Sequence, residues 1–132
     1  MAYATRADLE DRHGAEEMEQ RESMLPAGAV AGALADADAE IDSYLAARYP
    51  LPLATVPALL TRIACAIARY NLLGEAASER ARADVEDARR QLARLANGSV
   101  TLGLPAATEV ATSAGGVAYE SSDSVFDAGT GF

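Results

Sequence analysis

Two prolines separated by one residue, Pro50 and Pro52 in RYPLPLAT, constrain the fold of this chain more than any other feature. Proline offers no backbone N–H and biases the preceding residue away from helical backbone, so no helix runs through this segment. YPLPL therefore reads as an extended, stiff connector. Upstream, Val30, Leu34, Ala37, Ile41 and Leu45 recur at spacings of four, three, four and four, forming one apolar stripe of a helix over roughly Ala27 to Arg48. Leu25, Pro26 and Gly28 form the hinge into it. Downstream, Thr55 is expected to cap the next helix, with Pro57 in its first turn. There Leu60, Ile63, Ile67 and Tyr70 make the most regular apolar face of the chain, ending near Gly74. Ala58, Ala64, Ala66 and Ala68 surround that face and allow a neighbouring helix to approach closely, so this is the expected central helix.

A further helix opens at Ser78. Ala81, Val85, Ala88, Leu92 and Leu95 form its stripe, while Arg80, Arg82, Arg89, Arg90 and Arg94 lie on its wet side. Asn97-Gly98 stops it, because glycine there takes the left-handed cap conformation. Near the start, Thr5 and Asp8 resemble a capping box with Asp in place of Glu, opening a short helix over ADLEDRH that Gly14 ends. The next segment, AEEMEQRES, predicts a second short helix, mostly polar and exposed.

Half of the 132 residues are hydrophobic, but much of that is alanine, with two Phe, five Tyr and no Trp. Such a composition suits a thin core of closely packed helices better than a sheet. The expected fold class is all-α, a small helical bundle of three longer helices plus short N-terminal helices. The expected division is a helical domain over 1–98 and an extended arm over 99–132.

The formal charge is −9 and every basic residue is arginine. A net acidic chain argues against gripping DNA by neutralising phosphates; it suits solubility or DNA repulsion. The single cysteine, Cys65, allows no intramolecular disulfide. No apolar run approaches the roughly 20 residues of a membrane span, so no membrane role is expected. MAYATRADLEDR lacks a signal-peptide pattern, and the expectation is a soluble protein made in a reducing compartment.

After Gly98 the helical period disappears. VTLGL reads as a short strand or an extended arm, and the following segment to Phe132 has four acidic residues and no basic one. Composition favours a disordered tail. Yet Val117, Tyr119, Val125, Phe126 and Phe132 recur too often for a solvating tail, and they are the candidate partner-binding anchors. VAY at 117–119 is the segment able to pair as a strand.

Chemistry has little to stand on. Asp36, Asp38, Glu40 and Asp42 alternate as in a Ca²⁺ loop, but they fall inside a helical pattern and lack the turning glycine. On a helix they make two acidic ridges, Asp36 with Glu40 and Asp38 with Asp42, read as a solvated or DNA-repelling face. His13 has no neighbouring residue to make it a general base and reads as an exposed bystander. Cys65 reads as a small buried hydrophobe. No nucleophile–base pair, phosphate-cradling loop or zinc spacing is present, so no enzyme activity, cofactor or metal is expected. Arg82, Arg89 and Arg90 interleave with Asp84, Glu86 and Asp87. Intrahelical pairs such as Arg80 with Asp84, or Glu86 with Arg82, Arg89 or Arg90, are expected, leaving this face as a candidate subunit interface.

Three segments carry a resemblance: YATRADLEDR, the block ALADADAEIDSYLAARYPLPLATVPALLTRIACAIARYNLLG, and a tail with VF that ends in GF. Together they resemble the small neck proteins of Mu-like phages and prophages, the head–tail connectors (adaptors) of long-tailed phages. RESMLPAGA departs from the Asp/Gly-rich loop expected of relatives, so no cation is expected there. The resemblance implies a virion protein of the neck, assembled in the host cytoplasm as a ring beneath the portal, expected to be a dodecamer. Its implied partners are the portal protein, further copies of itself, a tail-side neck or tail-completion protein, and duplex DNA that passes without specific binding. The acidic residues become candidates for the lumen, and the C-terminal arm a docking element that adds a strand to a partner's sheet edge. The alternatives are a head-completion protein of the next neck layer, or a small helical module that binds nucleic acid.

Overall fold

The computed structural model describes residues 1–103; the expected anchors Val117, Tyr119, Val125, Phe126 and Phe132, the VAY strand and most of the arm lie outside them. The described chain is all-α. Its helices are α1 (Arg6–His13), α2 (Ala15–Ser23), α3 (Ala29–Leu45), α4 (Ala58–Leu73) and α5 (Glu79–Asn97), with a single 3₁₀ turn over Gly74–Ala76.

Local chemistry accounts for most boundaries. The Thr5 hydroxyl accepts from the Asp8 N–H, while the Asp8 carboxylate accepts from the Thr5 N–H at 2.9 Å, so Asp completes the capping box. Gly14, at φ 95°, is the single residue between α1 and α2. Ser78 caps α5 by accepting from the Ala81 N–H at 3.1 Å, and Gly98 ends it at φ 86°. Two expectations are corrected. The cap of α4 is Pro57, whose carbonyl accepts from Leu60 and Thr61, and Thr55 does not cap. With its extended backbone, Pro57 turns the chain into the helix and needs no hydroxyl. The α3 helix spans its whole apolar stripe but is shorter than the expected Ala27 to Arg48; past Leu45 it loosens into turns, with the Tyr49 N–H donating to the Leu45 carbonyl at 2.9 Å.

Packing is organised around α4, which touches α1, α3 and α5. Its Leu60, Ile63 and Ile67 are fully enclosed, as are Ile41 and Leu45 of α3 and Leu92 and Leu95 of α5. Ala37, Ala64, Ala68 and Ala88 are also closed to solvent, which is how a chain poor in large side chains still excludes water between helices. All five stripe residues of α5 are buried. On α3, Ala33 takes the buried place and Leu34 is only partly covered.

The connector is not an extended rod. It bends, with a cis Leu51–Pro52 peptide bond, and buries Tyr49 and Leu53. Its apolar side chains gain more from the core than a straight bridge through water would give them. The second short helix is not simply exposed either, because Met18 is buried and fastens α2 to the bundle. After α5 the chain returns to the core. Val100 and Leu102 pack against it, and the Leu102 N–H donates to the Tyr49 hydroxyl at 3.0 Å. No strand forms among the described residues.

Candidate functional site

The acidic series of α3 is divided between two intramolecular tasks. Asp38 and Asp42 receive the N-terminal segment. The Tyr3 N–H donates to Asp38 at 3.0 Å, the Tyr3 hydroxyl donates to Asp42, and the terminal ammonium lies 3.5 Å from Asp42. The Tyr3 carbonyl accepts from the Thr61 hydroxyl of α4 at 2.9 Å, so the segment ties α3 to α4. Burial and then the Asp42 carboxylate push the Tyr3 phenol well above its usual range, and burial raises Asp38. Glu40 belongs to the other ridge and faces α5, while Asp36 stays exposed without an ion pair among the described residues. The two ridges are therefore not free solvated faces; only Asp36 of the four keeps that character.

The arginines follow the same logic. Arg89 meets Glu40 through two contacts of 2.8 and 3.2 Å, and its guanidinium sits 5.9 Å from the Tyr70 ring centre. The expected pairing of Glu86 within α5 is not formed. The expected Arg80–Asp84 pair is present at 3.9 Å, while Arg90 reaches Asp87 at 3.4 Å and Arg82 donates to the Ala77 carbonyl at 3.3 Å. Of the three interface candidates, Arg82 and Arg90 stay exposed, while Arg89 is engaged by Glu40 of the same chain.

The short N-terminal helices are tied to the rest of the described chain. Arg6 joins Glu10 and Glu22, bridging α1 and α2, and Glu17 of α2 holds Arg69 of α4 at 3.0 and 3.1 Å. Arg21 donates to the carbonyls of Leu72 and Leu73, satisfying the open end of α4.

His13 is not an exposed bystander. It is half-buried and its Nε2 is enclosed with no hydrogen-bond partner among the described residues. Burial, then the Arg69 charge, lowers its pKa. Cys65 is buried as expected, and burial pushes its thiol up to about 11, so it is a poor thiolate. Among the described residues, no three His, Cys, Asp or Glu side chains come together as metal ligands, and no helix is long and apolar enough to cross a membrane. Periodicity missed the enclosure of His13; the only local signal was its place beside Gly14, where α1 must turn back onto the bundle.

Comparison with known proteins places the chain in a family. The family described as Bacteriophage Mu, Gp36 matches residues 3–121. The "Mu-like prophage FluMu protein gp36" of Haemophilus influenzae (strain ATCC 51907 / DSM 11121 / KW20 / Rd) is 42% identical over 133 aligned positions, covering 97% of this chain and 94% of that protein. "Gene product J" of Escherichia phage Mu is 42% identical over 76 positions, covering 58% of this chain and 54% of its own.

Proposed function

The chain belongs to the Bacteriophage Mu Gp36 family, and from that premise we propose that it is a structural head–tail connector, one subunit of a ring beneath the portal. In this reading the ring extends the DNA channel and presents a docking surface to the tail. The protein is a building block of virion assembly and not a catalyst. The observation that carries the reading is the root of the C-terminal arm. Leu102 is held on Tyr49 at the surface of a closed bundle, and from that fixed point the chain continues through Val117, Tyr119, Val125, Phe126 and Phe132. An arm with spaced apolar anchors, leaving a rigid body at a defined place, suits strand addition to another protein's sheet edge.

The charge of the chain supports the same reading. At −9 it disfavours phosphate contacts, as a conduit for sliding duplex DNA requires. The test is attachment to the portal protein, followed by co-purification and by electron microscopy of assembled necks. Because Val100 and Leu102 pack on the core, the arm should be cut after Gly103 and not at the end of α5. The shortened chain is expected to keep its helical circular dichroism and lose attachment. A full-length chain with Val125, Phe126 and Phe132 all changed to Ser should behave alike. Attachment that survives both changes disproves the arm, and density showing no ring at the neck disproves the connector.

A further inference from the structure

A cavity of about 290 Å³ lies where the end of α1 meets α4 and α5. Its walls are Arg12, His13, Arg62, Cys65, Ala66 and Asp84. The volume is at the low end for a ligand site and suits a single side chain or small ion. Three features give it a chemical preference. Arg6, Arg69, Arg80, Arg89 and Arg90 each meet a carboxylate, but Arg12 and Arg62 meet none among the described residues. Arg21, Arg48, Arg82 and Arg94 likewise meet no carboxylate among the described residues, so what distinguishes Arg12 and Arg62 is that both line one cavity beside a single carboxylate, Asp84. The third feature is His13, which lines the cavity and whose Nε2 is enclosed without a partner among the described residues. A buried polar atom left open in this way is costly unless something completes it.

We propose that this cavity receives a carboxylate side chain from a second copy of the chain, with Arg12 and Arg62 supplying the charge and the half-buried His13 ring, turned so that Nε2 opens to the cavity, the directed hydrogen bond. The inference rests on the ring reading above. A carboxylate fits better than a metal ion, which two guanidinium groups would repel. It also fits better than the phosphates of nucleic acid, because a duplex would lay a run of negative charges against an acidic chain, whereas one side chain brings a single charge past Asp84. A second copy is the natural donor. Glu16, Glu19, Asp36, Glu79 and Glu86 are exposed and form no ion pair among the described residues. A receptor on one patch and its ligand on another make a head-to-tail contact, the kind that closes into rings. Such a charged insertion fixes register and steers encounter more than it adds raw affinity.

His13 is surrounded by Arg12 of α1, Glu17 of α2, Arg69 and Arg62 of α4 and Asp84 of α5. An entering carboxylate adds a negative charge to this set and favours the imidazolium, so association should strengthen as pH falls.

Because His13 is the only histidine, its ring nitrogens give a single set of signals in the full-length protein labelled with ¹⁵N-histidine. Sodium acetate is the probe, with sodium chloride at equal ionic strength as control. The expected result is a saturable shift and a rise of the His13 titration midpoint by about half a unit or more. A rise in protein concentration without acetate should move the same signals as copies associate, followed in parallel by sedimentation velocity. Arg12→Ala/Arg62→Ala, both changes at exposed positions, should abolish both responses, and Arg12→Lys/Arg62→Lys should keep part of them. An acetate response equal to that of chloride, or retained in the double Ala variant, overturns the cavity as a carboxylate receptor. Association that leaves His13 unmoved, or a chain monomeric at every concentration, overturns the second copy as donor; the ring itself stands or falls separately on neck density. Inorganic phosphate or a short DNA duplex displacing acetate at lower concentration overturns the carboxylate assignment in favour of nucleic acid.

Discussion

Arg89 of α5 crosses to Glu40 of α3 and grips it with two nitrogens, at 2.8 and 3.2 Å, while its guanidinium leans over Tyr70 of α4. One side chain thereby touches all three long helices. The Arg89 side chain is 41% exposed and Glu40 26%, so screening trims what the pair contributes. A double-mutant cycle on Arg89→Ala and Glu40→Ala should give a coupling of about 0.5–1 kcal/mol by urea denaturation, falling in high salt. Arg89→Lys should lose most of it, because a lysine ammonium cannot make the forked contact. Coupling that is independent of salt and retained by lysine would show that packing on Tyr70, not charge, holds the helices.

The N-terminal clasp can be read in the same way. Tyr3 is 2% exposed, and its hydroxyl donates to Asp42. Tyr3→Phe keeps the ring and removes one charge-assisted hydrogen bond. Asp42 retains the terminal ammonium, so the expected loss is about 1–2 kcal/mol. Burial raises the Tyr3 phenol above its ordinary 10.0. The native state therefore keeps a proton that the unfolded chain releases, and wild-type stability should fall as pH rises beyond 10.0. The Phe variant should lack the Tyr3 part of that decline, as denaturation midpoints between neutral and alkaline pH would show.

Close helix approach depends on alanines. Ala64 and Ala68 of α4 are closed to solvent, as is Ala37 of α3. Ala64→Leu should cost about 1–3 kcal/mol by overpacking, in the opposite steric sense from Ile41→Ala, which should cost about 2–5 kcal/mol through a cavity. A thermal melt of Ala64→Leu at or above wild type would mean that the interface has slack that the burial pattern hides.

The local parts of this fold were legible because helical periodicity reports neighbours three and four residues apart. All five stripe positions of α5 are buried, the Thr5–Asp8 box forms, and Gly98 stops the helix. Long-range partners carry no such signal. Periodicity offers Glu86 a choice of Arg82, Arg89 or Arg90 along its own helix, but the partner of Arg89 lies on another helix, at Glu40. Tyr3 gave no hint of Asp42, thirty-nine positions on. The choice of Ala33 over Leu34 for the buried side of α3 is set by the neighbouring helices, so α3's own pattern could not decide it. His13 follows a related rule: a polar helix reads as exposed from its own sequence, and only the packing of α4 against it closes over its end.

That closure gives His13 a distinct effect on stability. Its pKa is lowered from the ordinary 6.5, first by burial and then by the Arg69 charge, with Arg12 adding to the effect and Glu17 and Asp84 opposing it. A group depressed in the folded state binds protons more readily when unfolded. Its contribution is thus present above pH 6.5 and is lost as pH falls below it. As the chain has no other histidine, no other side chain has an unperturbed midpoint in that range. Wild-type stability should therefore decline between about pH 6.5 and 5, before most carboxylates titrate. His13→Gln, which keeps a polar side chain but cannot charge, should flatten that segment of the profile and leave the steeper acid limb below pH 4.5 in place. Urea midpoints at half-unit intervals of pH read both limbs in one series. A wild-type profile flat from pH 7 to 5 would mean that His13 is solvated in both states and that the end of α1 opens to water.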